Sequence, residues 1–203
     1  MICIIDYGAG NIESVRKAFE FIGAECVLSD DPKVLENVDA AVLPGVGSFG
    51  DAMDNIRSRK LEEPIKKFIA SGKPFLGICL GLQILFESSE ESPEAVGLSV
   101  LKGKIVRIPN GEGLKIPHMG WNSLSFRNKS KLFGSLGENQ YVYFVHSYYL
   151  KAEEDIVTST TEYGVTIHAS VEKDNLMACQ FHPEKSGETG LEILRNFVAL
   201  IKD

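Results

Sequence analysis

The chain has 203 residues, 44% of them hydrophobic and 24% charged, with a formal net charge of −7. That length and composition fit one soluble globular domain that buries a core without disulfide or metal staples. The acidic balance argues against a phosphate-binding surface and hence against nucleic acid, and no stretch approaches the ~20 apolar residues of a membrane span. Residues 2–5 form a short β-rich run that ends at Asp6 and is followed by Gly8 and Gly10. Asn11 is placed to cap a helix running to about Ile22, with Gly23 as its stop signal and Val15, Phe19 and Ile22 on one face. Residues 25–28 and 40–43 read as strands, and Pro44, Gly45, Val46 and Gly47 as a loop. Helices are expected near 49–57 and 61–70, a strand at 75–78 and a helix over 80–87. Apolar strands alternating with amphipathic helices indicate a parallel sheet covered on both faces.

The second half changes character. Residues 104–108, 122–126, 141–145, 156–160, 166–171 and 177–181 all read as strands, with turn signals such as Asn110-Gly111 and Tyr163-Gly164 between them. A last helix spans about 189–201. The chain is therefore expected to be one α/β domain over 1–203, with a mixed, mostly parallel sheet flanked by helices and a strand-rich second half. Cys3, Cys26, Cys79 and Cys179 lack both the density of a disulfide framework and the paired spacing of a zinc site, so no metal is expected. Free thiols, and an opening run too short and too poor in basic residues for a signal peptide, point to the cytoplasm.

The chemistry concentrates around Cys79. It sits where a buried strand gives way to a helix, between Gly77 and Gly81. This G-x-C-x-G arrangement is the cysteine version of the nucleophile elbow. It would put the sulfur at the carboxyl edge of a parallel sheet, where α/β folds place ligands, and at a helix N-terminus that favours thiolate. The same five residues also fit a structural cysteine between two packing glycines, so the rest of the constellation must decide.

A thiol nucleophile needs a base, and the base needs a group to orient it. His182 and Glu184 stand two apart in Phe-His-Pro-Glu, after the strand 177–181. In an extended segment both side chains would face one cleft. His146 and His118 compete as the base, although neither has a carboxylate close by in sequence, and His168 reads as structural or solvent-facing. Oxyanion donors are expected from the Leu80 N–H and from the loop carrying Gly45, Val46 and Gly47, each worth ~3 kcal/mol in a transition state.

Taken together, Gly-Ile-Cys79-Leu-Gly-Leu-Gln, Pro-Gly-Val-Gly47 and Phe-His182-Pro-Glu184 resemble the class I (triad) glutamine amidotransferases. Asp6-Tyr-Gly-Ala-Gly-Asn11, Pro117-His-Met-Gly-Trp-Asn122 and Tyr143-Phe-Val-His-Ser-Tyr148 narrow the resemblance to the glutaminase subunits of imidazole glycerol-phosphate synthases. The resemblance covers essentially the whole chain, in the family's motif order. It implies the flavodoxin-like class I amidotransferase fold and a Cys79–His182–Glu184 triad that hydrolyses glutamine without a cofactor. It also implies a heterodimer with a cyclase subunit that consumes the ammonia. By the same carry-over, Gly45, Gly47, Leu80, Gln83, Glu91, Ser147 and Tyr148 would bind glutamine, and Trp121, Tyr143 and Lys185 would meet the cyclase. Without the resemblance, Trp121 and Tyr143 read as core and Glu91 as part of a solvated acidic run.

Overall fold

A computed structural model describes residues 1–201. The first half runs β1 (Ile2–Ile5), α1 (Ile12–Phe21), β2 (Cys26–Ser29), α2 (Pro32–Asn37), β3 (Ala40–Leu43), α3 (Phe49–Ser58), α4 (Glu62–Ala70), β4 (Phe75–Ile78) and α5 (Leu80–Gln83). Next come β5 (Ser88–Ser89), β6 (Gly103–Arg107), β7 (His118–Ser123), β8 (Ser125–Phe126), β9 (Tyr141–His146) and β10 (Tyr148–Ala152). The chain finishes with β11 (Val157–Glu162), β12 (Thr166–Lys173), β13 (Leu176–Cys179), a 3-10 turn at Pro183–Lys185 and α6 (Gly187–Val198).

The main sheet has the order β2-β1-β3-β4-β13-β12-β10-β6-β5, with β11 paired to β12 and β8 to β11. From β2 to β13 every pairing is parallel; β12, β10 and β6 then add antiparallel strands. β7 and β9 form a separate antiparallel ribbon. The expected mixed, mostly parallel sheet with a strand-rich second half is what forms.

Strand residues feed two layers in alternation. Cys3, Ile5, Ala41, Leu43, Phe75 and Ala178 pack beneath Phe49, Met53 and Ile56 of α3 and Ile65 and Phe68 of α4. Ile2, Ile4, Val42, Leu76, Ile78, Met177 and Cys179 point the other way, against Val15 and Phe19 of α1 and Ile193, Leu194 and Phe197 of α6. This is why the central strands are apolar without a polar face. Each large side chain so buried stabilises the fold by ~1.5–3 kcal/mol. The Phe19 and Phe197 rings meet edge to face at 6.3 Å between centroids, joining α1 to α6.

Several expected boundaries move, for identifiable reasons. The helix expected over 80–87 ends at Gln83, because the carbonyls of Ile84, Leu85 and Phe86 accept from Leu98, Val100 and Ser99 rather than from a following helical turn. α2 is an additional helix, capped by the Asp31 carboxylate on the Lys33 N–H at 2.9 Å and opened by Pro32. The single strand expected at 122–126 is divided between the ribbon strand β7 and the short β8, and β10 is an additional strand. α6 begins two residues early and stops at Val198. Asn11 does not cap α1: its φ is 69° and its side chain makes no capping bond.

Candidate active site

Cys79 leaves β4 with φ 56° and ψ −108°, backbone that costs an L residue ~1–3 kcal/mol and persists only where its surroundings impose it. Those surroundings are explicit. The Cys79 N–H donates to Cys179 O at 2.8 Å, and the Cys79 carbonyl accepts from Leu82 and Gln83 at 3.0 and 3.3 Å. A Cβ on Gly81 would lie 1.8 Å from Leu43 O, and one on Gly77 would lie 2.9 Å from Gly81 O. The glycines therefore let the turn press against β3 and against itself, which is the elbow anticipated from the sequence. The helix dipole contributes less than expected, since α5 has four residues.

His182 follows β13 on the adjacent strand, its N–H donating to Tyr143 O at 3.0 Å. Its Nδ1 lies 2.7 Å from Glu184 Oε1, with the two side chains 1% and 0% exposed. The pair forms by a different route from the extended segment expected: Glu184 belongs to the 3-10 turn, which folds its carboxylate back under the ring. With Nδ1 donating to the carboxylate, Nε2 has no hydrogen-bond partner among the described residues. Burial disfavours the charged ring, but Cys79 and Glu184 together outweigh it and hold His182 up at about 10. The two neighbours thus favour the protonated ring beside the sulfur.

Burial likewise pushes the Cys3 thiol up to about 11 and Cys179 upward, so these cysteines are inert packing groups. The competing histidines are spoken for. His146 Nδ1 faces Tyr148 O at 2.9 Å, which requires a proton there, so Nε2 accepts from His118 Nδ1 at 3.0 Å. Burial lowers His118 to about 4 and His146 to about 3, keeping both neutral. Neither is free to act as the base. His168 is half-buried and accepts the Ala152 N–H at 3.2 Å, a structural role as anticipated.

A cavity of about 310 Å³ opens beside the sulfur, lined by Val46, Gly47, Cys79, Leu80, Gln83, Glu91, Pro117, Val145, His146, Ser147 and Tyr148. Most of the residues implicated in glutamine binding therefore converge. Gly45 stands behind them, buried, with Tyr7 filling the place where its Cβ would be. One Glu91 oxygen accepts the Phe49 N–H at 2.8 Å, so the acidic run at 87–91 delivers a carboxylate to the pocket rather than only to solvent. A larger cleft of about 660 Å³, including Asp39, Lys73, Lys131 and Asn175, lies at the opposite strand ends, and its lining holds neither cysteine nor histidine.

Leu80 N–H, expected from the sequence as an oxyanion donor, donates to Gly45 O at 3.4 Å and is thus engaged by its neighbouring loop. Gly47, at φ 109°, and exposed Val46 complete this loop.

Trp121 and Tyr143 are cross-strand neighbours on the ribbon, their rings edge to face at 6.2 Å. Trp121 is 57% exposed, which overturns its placement in the core on residue type alone. Lys185 is exposed on the turn that carries Glu184, and Tyr143 N–H bonds Ser186 Oγ in the same turn at 3.0 Å. Exposed Met119 and Tyr141 extend the patch; alternation in His-Met-Gly-Trp and Tyr-Val-Tyr was the signal that sequence reasoning left unused. Two further polar residues were missed. Gln180 Nε2 faces Cys79 Sγ at 3.7 Å, its amide orientation fixed by Gln83 Nε2 donating to its Oε1 at 3.0 Å. Asn11 reaches Glu184.

The profile of the family described as glutamine amidotransferase class-I matches residues 3–201. The imidazole glycerol phosphate synthase subunit HisH of Methanothermobacter thermautotrophicus is 52% identical over 202 residues, spanning 100% of both chains. The HisH subunit of Caldanaerobacter subterraneus subsp. tengcongensis is 50% identical over 203 residues, spanning 100% of this chain and 99% of that one. A crystal structure of a glutamine amidotransferase from Thermotoga maritima superposes with a TM-score of 0.72 over 100% of this chain and 98% of that one, at 18% identity, a likeness of fold. The chain belongs to the class I glutamine amidotransferases and, within them, to the family of HisH glutaminase subunits of imidazole glycerol phosphate synthase.

Proposed function

We propose that Cys79, His182 and Glu184 hydrolyse the side-chain amide of glutamine, and that the ammonia passes to a cyclase subunit in histidine biosynthesis. The observation that carries this reading is the convergence of a strained elbow cysteine, a glutamate-oriented imidazolium and a cavity of about 310 Å³ at one sheet edge. Cys79 Sγ forms a bond to the amide carbon as the carbonyl electron pair moves onto oxygen. His182 Nε2 gives its proton to the amide nitrogen, the C–N bond breaks and ammonia leaves a γ-glutamyl thioester. Water then yields a proton to His182 and attacks the thioester; the C–S bond breaks, releasing glutamate and regenerating thiolate and imidazolium. Leu80 N–H and the loop at Gly45, Val46 and Gly47 hold the oxyanion. Gln83, Glu91, Ser147 and Tyr148 hold the amino-acid end of the substrate.

Regulation follows from the occupied Leu80 N–H. While Gly45 O accepts it, the hole lacks a donor worth ~3 kcal/mol, roughly a hundredfold in rate. Rotation of the 44–47 loop, with flexible glycines either side of Val46, would free Leu80 and present a second N–H. A cyclase docked on Trp121, Tyr143 and Lys185 is the partner that would bias this two-state loop. We read residues 1–203 as one such domain, supported by the single main sheet that draws on both halves of the chain. A cytoplasmic setting is supported by four free cysteines, and among the described residues no helix is long and apolar enough to cross a membrane.

The deciding measurement is glutamate release from glutamine with and without a cyclase subunit and its nucleotide ligand. Strong stimulation, and loss of more than about a thousandfold in Cys79→Ser, are expected. A Cys79→Ser variant with near-normal release would sink the assignment; absent stimulation would move the chain to another ammonia-using synthase.

A further inference from the structure

Glu184 uses one carboxylate oxygen for two partners. Oε1 accepts from His182 Nδ1 at 2.7 Å and from Asn11 Nδ2 at 2.6 Å, while Oε2 is buried without a partner. Asn11 lies 173 residues away in sequence, at the junction of β1 and α1. Because the acceptor is a carboxylate, only the N–H side of the Asn11 amide can face it. The residue stands in the left-handed region, φ 69° and ψ 7°, where Gly, Asn and Asp are tolerated best. Of those three only Asn donates a hydrogen bond from an uncharged side chain. Its position before α1 would suit a helix cap, yet the side chain makes none and turns to Glu184 instead. Backbone conformation, residue type and a forgone cap all lead to the same bond.

We propose that Asn11 is a positioning residue for the triad, fixing the Glu184 carboxylate so that it in turn fixes the His182 ring. The proposal rests on the reading of Cys79, His182 and Glu184 as the catalytic set. With Oε2 unpartnered, Asn11 is, among the described residues, the one hydrogen-bond partner of the carboxylate apart from the ring it orients. Removing it leaves Glu184 free to turn within the 3-10 segment, so that the imidazole samples orientations that do not deliver a proton to the departing nitrogen. The amide is not part of the cavity lining and bonds to Glu184, so the effect belongs to kcat rather than to KM.

The test is steady-state glutamate release by Asn11→Gly and Asn11→Asp, with the chain assembled with a cyclase subunit, beside the rate of Cys79 alkylation by iodoacetamide in the chain alone. Asn11→Gly keeps the positive φ without strain and removes only the donor; Asn11→Asp keeps the shape and sets a carboxylate against Glu184. Both are expected to lower kcat at least about tenfold, with KM for glutamine within about twofold and the Asp variant falling further. Alkylation is expected to slow in the same order. Wild-type kcat in Asn11→Gly, or a loss that merely tracks a lowered melting temperature, overturns the proposal. Cys79→Ser run alongside separates the two levels: if it still releases glutamate, the triad reading fails and not the role of Asn11 within it.

Discussion

Lowering the pH from 7 to 5 should cost this fold about 3 kcal/mol, and the source is the neutral pair of His118 and His146, the latter lining the cavity beside Cys79. His118 and His146 are buried and hydrogen-bonded to one another in fixed tautomers, with His118 stacked on Tyr163 at 3.9 Å. Burial holds them at about 4 and about 3, whereas in the unfolded chain each titrates near ~6.5. The unfolded state therefore binds more protons, so stability falls as pH drops below ~6.5 and keeps falling until the folded forms protonate. Between pH 7 and 5 each histidine loses about 2 kcal/mol of stabilisation, roughly 4 together. His168, also lowered by burial, acts in the same direction. His182, raised to about 10, has the opposite sign: its stabilisation is complete below ~6.5, which returns about 1 kcal/mol over the same interval. The net is a sizeable part of the ~5–15 kcal/mol available to a domain. Urea unfolding followed by far-UV circular dichroism at the two pH values measures it directly. A difference below about 1 kcal/mol, or imidazole proton resonances of His118 and His146 titrating near 6.5, would refute a buried neutral pair.

The remaining perturbations follow from geometry. Gly81→Ala would put a Cβ 1.8 Å from Leu43 O, backbone that cannot retreat, so a loss above about 3 kcal/mol and little folded protein are expected in a thermal melt. Trp121→Ala should leave the melt within a degree or two, because the ring is 57% exposed, yet weaken cyclase binding by ~2 kcal/mol or more in titration calorimetry. Gly47→Ala meets no atom within 4 Å but must hold φ 109°. Its cost of ~1–2 kcal/mol falls on the loop, and the ratio of stimulated to basal glutamate release should change. An unaltered ratio would remove the loop as the switch.

How legible this molecule is from sequence depends on which physical constraint governs each part. The central strands were readable because burial on both faces leaves Ile2–Ile5, Ala40–Leu43 and Phe75–Ile78 apolar throughout. The helices α1, α3 and α4 were readable because each buries one stripe against the sheet. α2 was not, since Leu35 is its one fully buried residue and six residues show little period, although Asp31-Pro32 is a legible start signal. The early end of α5 was hidden for a different reason: its later carbonyls are claimed by residues 98–101, a tertiary event that no local pattern encodes. The division of the 122–126 strand has the same character, because pairing with β9 rather than propensity sets the limits of β7.

The site shows the same contrast at higher stakes. Cys79, His182 and Glu184 could be named because each sits in a short run whose residue types are chemically constrained, down to the two glycines that admit the elbow. What escaped were groups whose partners are remote: Asn11 against Glu184, Gln180 against Cys79, and Gly45 O on the Leu80 N–H. The first two bond directly to Glu184 and Cys79, whereas the third engages an N–H expected to serve the same site. A sequence motif states which atoms are available for chemistry, and long-range hydrogen bonds state which of them are engaged elsewhere. On the proposed reading, the nucleophile and its base are assembled while the Leu80 N–H stays engaged by Gly45 O. The barrier then left to a partner would be one peptide's orientation, a term small enough for docking energy to shift and large enough to spare glutamine when no acceptor is present.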